Sequence, residues 1–234
     1  MSMPDKGGRT APRFVLPARG ALEANGPDDP LPYYYKPLVG ALYRRRIEQA
    51  LSLLRPPYGT VLEIGYGSGL LIPTLARFSS VVHGADIDSD PGRIGPRLAA
   101  LGVQAELLRG DICRMDLGRE RYDLVVAISV FEHIREIDAA LGAIHRILRP
   151  GGELLVGMPR VDPFMSRLFD LIGFRGIDKH HVTSHRALLA HALPRFELAG
   201  ARRMPGWLPA CCGLYFSLCL RKTEGSGFRN PLRP

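Results

Sequence analysis

No stretch of this 234-residue chain stays apolar for the length that a membrane-crossing helix needs, which excludes a helical membrane span. The amino-terminal residues hold no apolar signal core, so secretion is not expected. Cysteine is scarce. Cys113, Cys211, Cys212 and Cys219 form no Cys-x-x-Cys pair and no zinc spacing. A reduced, cytoplasmic location is the simple expectation, with the vicinal Cys211-Cys212 lining a core or pocket. No internal repeat is visible. Two phosphate-binding signatures are also missing. No Gly-Lys-Ser/Thr follows the glycine-rich stretch, and position 70 is Leu where the dinucleotide fingerprint requires its third glycine.

What is present fits one α/β domain with decorations. Apolar content of 46% and charged content of 23% are ordinary for a globular protein, so a disordered chain is not expected. The net charge of +8 is uneven: nine Lys/Arg against five Asp/Glu in residues 1–55, ten against twelve in 56–150, and twelve against six in 151–234. Basic flanks suit an anionic substrate, a membrane surface or nucleic acid, and alone they choose none of these.

The rest of the chain is arranged around Val61-Leu62-Glu63-Ile64-Gly65-Tyr66-Gly67-Ser68-Gly69. Thr60 to Ile64 reads as a short strand between Gly59 and Gly65. Leu70 to Arg77 reads as a helix, with Pro73 tolerated only in its first turn. Between them lies a turn where a ligand can approach bare backbone and meet helix N–H groups. A plain turn would not need three glycines. The pattern acidic-x-Gly-x-Gly-x-Gly resembles the first motif of class I S-adenosylmethionine (SAM) dependent methyltransferases. The resemblance implies a Rossmann-like α/β fold: a seven-stranded, mostly parallel sheet with helices on both faces and one antiparallel strand near the edge. It implies SAM as cofactor, with Gly65, Gly67 and Gly69 at the backbone approach and Glu63 near the ammonium.

Further along, Val81 to Asp86 reads as the second strand, and Asp86 matches the acidic residue that takes the ribose hydroxyls in that family. Asp88 competes for that role. Asp90 reads as the cap of a helix over Pro91–Leu101. A third strand ends before Asp111, whose match in the family holds the adenine amino group, and the N–H of Ile112 is placed to meet a ring nitrogen. Tyr122 to Ile128 is apolar enough for a parallel strand buried on both faces. It feeds Ser129-Val130-Phe131-Glu132-His133-Ile134, which should border the methyl group, with Ser129 near the methionine end. Glu136–Leu148 reads as a helix, and Leu148-Arg149-Pro150-Gly151-Gly152 before a strand over Glu153–Met158 again resembles the family. The resemblance is specific over residues 58–160 and general over 178–222.

Outside that core, residues 1–30 read as a flexible arm and 31–222 as one domain, with 161–193 as a cap or substrate region and 194–222 as closing antiparallel strands. Residues 223–234 read as a flexible tail. Tyr33-Tyr34-Tyr35 reads as packing on the domain or closing over substrate, with Tyr34 the candidate substrate contact. Leu38–Leu54 reads as a helix on which Arg44-Arg45-Arg46 falls partly on a solvated face. The apolar Pro163–Phe174 reads as a helix that packs on the sheet edge or caps the substrate.

Methyl transfer is an in-line displacement needing alignment and, for a hydroxyl acceptor, often a base. His133 is the candidate base, because it titrates near neutrality and sits past the fourth strand. The Glu132-His133 pair resembles quinone-biosynthesis O-methyltransferases, which carry a further acidic residue where this chain has Ser129. That departure argues against both a quinone substrate and metal assistance. His180, His181 and His185 are a lesser candidate for a metal site, with His181 preferred as a substrate contact and no metal expected. The expected activity is methyl transfer to oxygen or nitrogen of a small molecule, with a lipophilic acceptor preferred and a polar sugar or sugar-linked one left open. RNA methylation is the rival enzyme, disfavoured by the lack of an interleaved aromatic and basic platform. A non-catalytic SAM-binding module and a dehydrogenase are the other readings. No membrane span is expected, peripheral membrane contact stays open, and the sequence does not give the oligomeric state.

Overall fold

The computed structural model describes residues 11–27, 29–160, 183–206 and 213–223. Within them, seven strands form one sheet: β1 (Tyr58–Ile64), β2 (Ser79–Asp86), β3 (Glu106–Arg109), β4 (Tyr122–Ile128), β5 (Leu148–Pro159), β6 (Phe196–Met204) and β7 (Tyr215–Lys222). Their order is β3-β2-β1-β4-β5-β7-β6. The first five run parallel, and β7 lies antiparallel between β5 and β6. The expected fold is therefore present, and β1 lies between β2 and β4. That is the switch point where open α/β sheets bind ligands beyond their strand ends.

Burial explains the strand assignments. Leu124, Val125, Val126 and Ala127 of β4 are all fully buried, because successive side chains enter opposite faces and both faces are covered. One face packs Val125 and Ala127 against α5 (Ile137–Ile147) and α6 (His185–Ala192). The other packs Val61, Val126 and Leu155 against α2 (Pro37–Leu51), α3 (Ile72–Leu75) and α4 (Pro91–Ala100). Before α2, the single turn α1 (Leu31–Tyr34) abuts Gly40, where an added Cβ would lie 2.4 Å from the Tyr34 carbonyl oxygen.

Three local expectations change. The helix read over Leu70–Arg77 is one turn, Ile72–Leu75, because Pro73 holds its start and β2 begins at Ser79, leaving no room for more. β5 starts at Leu148 rather than Glu153, with Leu148 paired to Tyr122 ahead of a register shift. The described part of the amino-terminal arm is docked. Phe14 N–H donates to Glu48 and Val15 N–H to Thr74 Oγ1, and Leu22 is buried. Apolar side chains between the prolines supplied the area that composition alone did not reveal.

Asp90 caps α4, its carboxylate accepting from Gly92 N–H at 2.9 Å. Asp90→Ala is expected to cost about 1 kcal/mol, read as a fall of roughly 2–4 °C in Tm. The apolar segment 163–174 and the His180-His181 pair lie outside the described residues, as do Cys211-Cys212. Among the described residues no helix is long and apolar enough to cross a membrane.

Candidate active site

The glycine turn follows β1 at the switch point. Gly65, Gly67 and Gly69 have φ of +72°, +51° and +78°, where side chains other than glycine are strained. Space is also limiting. A Cβ on Gly65 would stand 2.5 Å from Val130 Cγ2, and one on Gly69 would stand 2.9 Å from Ile94 Cγ2. Gly65→Ala is therefore expected to cost roughly 1–3 kcal/mol of stability through strain and overpacking. It should also weaken ligand binding at the turn, measured by calorimetry beside a thermal melt.

Three carboxylates, Glu63, Asp86 and Asp29, stand at this turn, and Asp111 lies past the end of β3. Glu63 is the last but one residue of β1 and is buried, with its Oε2 lacking any hydrogen-bond partner. Burial pushes its carboxyl well above the ordinary value, and the nearby Asp86 charge adds to this. Asp86 closes β2. Its Oδ2 accepts from Gly67 N–H at 2.9 Å, and its Oδ1 accepts from the N–H groups of Asp88 and Ser89 at 2.8 Å each. Asp86 thus braces the turn, and gripping a ribose means sharing or exchanging these bonds. Asp88 itself is exposed. Asp111 accepts from Cys113 N–H at 2.9 Å. Beside it Ile112 is buried, and among the described residues its N–H makes no hydrogen bond. Asp29 was missed in the sequence. It accepts from Asn25 N–H, Leu31 N–H and the Ser68 hydroxyl, which places it against the glycine turn. No sequence pattern marks Asp29, because its place depends on how the arm docks.

Past β4 the chain turns sharply. Ser129 has φ of +58°, its N–H donates to Gly157 carbonyl at 2.6 Å, and its Oγ lies 3.4 Å from the Tyr215 hydroxyl. A 3-10 turn over Phe131–His133 follows and carries His133, the candidate base, beside Glu132. His133 is exposed, whereas Glu132 is 1% exposed and carries an Oε2 without a hydrogen-bond partner. Burial pushes the Glu132 carboxyl up to about 8, opposed by its own backbone N–H and by Arg46. The turn therefore presents the carboxylate inward and the expected histidine outward.

Arg46 also departs from expectation. Of the arginine run, Arg45 is exposed and Arg44 donates to the Tyr34 carbonyl at 2.6 Å. Arg46 instead turns inward. Its guanidinium carbon lies 4.1, 5.5 and 5.8 Å from the ring centres of Tyr43, Tyr215 and Tyr34. Its Nη2 donates to the Tyr34 hydroxyl at 3.2 Å. Tyr34, the candidate substrate contact, is thus buried beside this charge. His185 stacks on Phe216 at 3.7 Å, and its pKa is lowered by burial and then by Arg186 and Arg160. His181 lies outside the described residues.

These residues fit SAM. A buried carboxylate oxygen without a partner suits an ammonium, a glycine cradle suits close backbone approach, and the Ile112 N–H suits an adenine nitrogen. Fold and site together define a nucleotide-cofactor protein of the doubly wound class. Residues 38–199 match the family described as a methyltransferase domain, and the chain belongs to that family.

It is similar to the ubiquinone biosynthesis O-methyltransferase of Xanthomonas axonopodis pv. citri, 30% identical over 149 residues, which are 62% of this chain and 58% of that protein. Against the enzyme of the same name from Paramagnetospirillum magneticum it is 33% identical over 147 residues, 60% of this chain and 58% of the relative. The matches to these curated relatives thus span little more than half of their lengths. Among solved structures, the N-methyltransferase NodS from Bradyrhizobium japonicum, with S-adenosylhomocysteine, aligns with a TM-score of 0.62 at 18% identity. That alignment covers 86% of this chain and 95% of NodS, and it shows a shared fold.

Proposed function

We propose that this protein transfers a methyl group from SAM to an oxygen or nitrogen of a small molecule. The observation that carries the reading is two buried carboxylates beyond the carboxyl ends of neighbouring central strands. Glu63 stands at the end of β1 and Glu132 past β4, each with one oxygen lacking a partner. SAM supplies an electrophilic methyl group on its sulfonium. Glu63 and the glycine turn hold the amino-acid end, Asp86 the ribose side, and Asp111 with Ile112 N–H the adenine. Ser129 stands between that pocket and the Tyr215 hydroxyl.

On the acceptor side, Glu132 rather than His133 takes the acceptor's proton. A buried carboxyl pushed up to about 8 has the basicity that a general base needs near neutral pH. A reducing cytoplasm is the proposed location, in keeping with free Cys113 and Cys219.

The test is incubation of the purified chain with methyl-labelled SAM and a panel of small hydroxylated and aminated acceptors, with S-adenosylhomocysteine quantified. Acceptor-dependent product supports the reading. SAM binding without turnover on any acceptor favours the binding-module alternative.

A further inference from the structure

Arg46 holds a permanent positive charge, since a guanidinium does not lose its proton in proteins. Three tyrosine rings surround it, and its Nε is buried without a hydrogen-bond partner. No carboxylate of the described residues forms an ion pair with it. Glu132 is the nearby acidic group, yet it forms no ion pair with this guanidinium, and its own Oε2 is also without a hydrogen-bond partner. A half-buried guanidinium whose Nε is buried and unpartnered is costly unless an acceptor completes it. Aromatic faces offset part of the cost, and the planar fork is suited to a two-oxygen anion.

The location matters as much as the charge. Tyr215 joins this cage to the proposed transfer point, because its ring faces Arg46 while its hydroxyl lies 3.4 Å from Ser129 Oγ. Gly157 makes that placement possible: a Cβ there would stand 2.6 Å from the Tyr215 hydroxyl. The unpartnered Nε and the unpartnered Glu132 Oε2 therefore belong to one end of the sheet, where the acceptor should lie.

We propose that Arg46, framed by Tyr34, Tyr43 and Tyr215, binds an anionic oxygen group on the methyl acceptor, a carboxylate or a phosphate close to the atom that is methylated. This inference rests on the methyltransferase reading for the word acceptor. The anion site itself stands on the unpartnered guanidinium Nε within the tyrosine cage.

The test uses the full chain, with and without saturating S-adenosylhomocysteine, titrated in a calorimeter with benzoate, phenyl phosphate, inorganic phosphate and benzyl alcohol. Benzoate or phenyl phosphate should bind and benzyl alcohol should not. Benzoate alone indicates a carboxylate, phenyl phosphate alone a phosphate ester, and equal binding of inorganic phosphate a free phosphate. Arg46→Gln should weaken the anion by about tenfold or more while changing S-adenosylhomocysteine affinity by no more than about twofold. If Arg46→Gln does not fold, Arg46→Lys keeps the charge, loses the fork, and should still weaken the anion selectively.

Binding of none of the anions overturns the proposal, as does equal binding of benzyl alcohol or anion binding indifferent to both variants. Failure of S-adenosylhomocysteine to bind would count against the methyltransferase reading instead. The anion titration of the free protein would still decide the Arg46 site.

Discussion

Glu132→Gln is expected to lower kcat by on the order of 10²-fold or more, the usual loss when a positioned general base is removed. The substitution keeps the shape of the side chain and removes the proton acceptor. The pH profile separates this account from one built on His133. A carboxyl pushed up to about 8 must ionise to act, so the wild-type rate should climb through the pH range around 8. An unperturbed histidine would place the rise near 6.5.

Stability should move the other way. The folded protein holds this proton more tightly than the unfolded chain does. Glu132 thus favours folding at low pH, and that contribution is lost as pH rises through about 8. Glu132→Gln should be the more stable protein above that pH. Retention of the rate and of the rise in the variant would remove Glu132 from the mechanism. His133→Ala gives the complementary reading, a small change in rate.

The second large effect concerns Glu63. Glu63→Gln should weaken SAM by about 10- to 100-fold, the range for a hydrogen bond to a charged group. It should also stabilise the protein without ligand. Burial, aided by the Asp86 charge, raises the folded carboxyl above its unfolded value, so stability is lost as pH climbs through the folded pKa. Glutamine has no such proton to lose.

The same linkage predicts that wild-type affinity for SAM rises with pH, since an ammonium prefers the ionised carboxylate. Calorimetry in buffers of different ionisation heat should detect proton release on binding to wild type and none in the variant. A variant that binds SAM as tightly as wild type would place the ammonium elsewhere.

How much of this was legible in the sequence varied with the range of the interaction. Glu63, Gly65 and Asp86 lie on consecutive elements at local spacings, and local spacing is what a motif records. The near-continuous apolar run of β4 announced burial on both faces, and Asp90-Pro91 announced the start of α4. Arg46 was not legible. A charged run on a helix normally faces water, and its inward turn depends on tyrosines from α1 and β7, the latter about 170 residues away in sequence. Glu132 and His133 are adjacent, so the choice between them rested on the twist of a three-residue 3-10 turn that composition does not encode. Asp29 reaches the glycine turn only through the docked arm. Its contacts are non-local and set by packing, as are those of Arg46.

The most direct test of the central claim is calorimetric titration of the purified chain with SAM, S-adenosylhomocysteine and NAD. The account predicts saturable binding of the first two at a single site, lost or much weakened in Gly65→Ala, and no binding of NAD. A folded protein that binds neither SAM nor S-adenosylhomocysteine would contradict it.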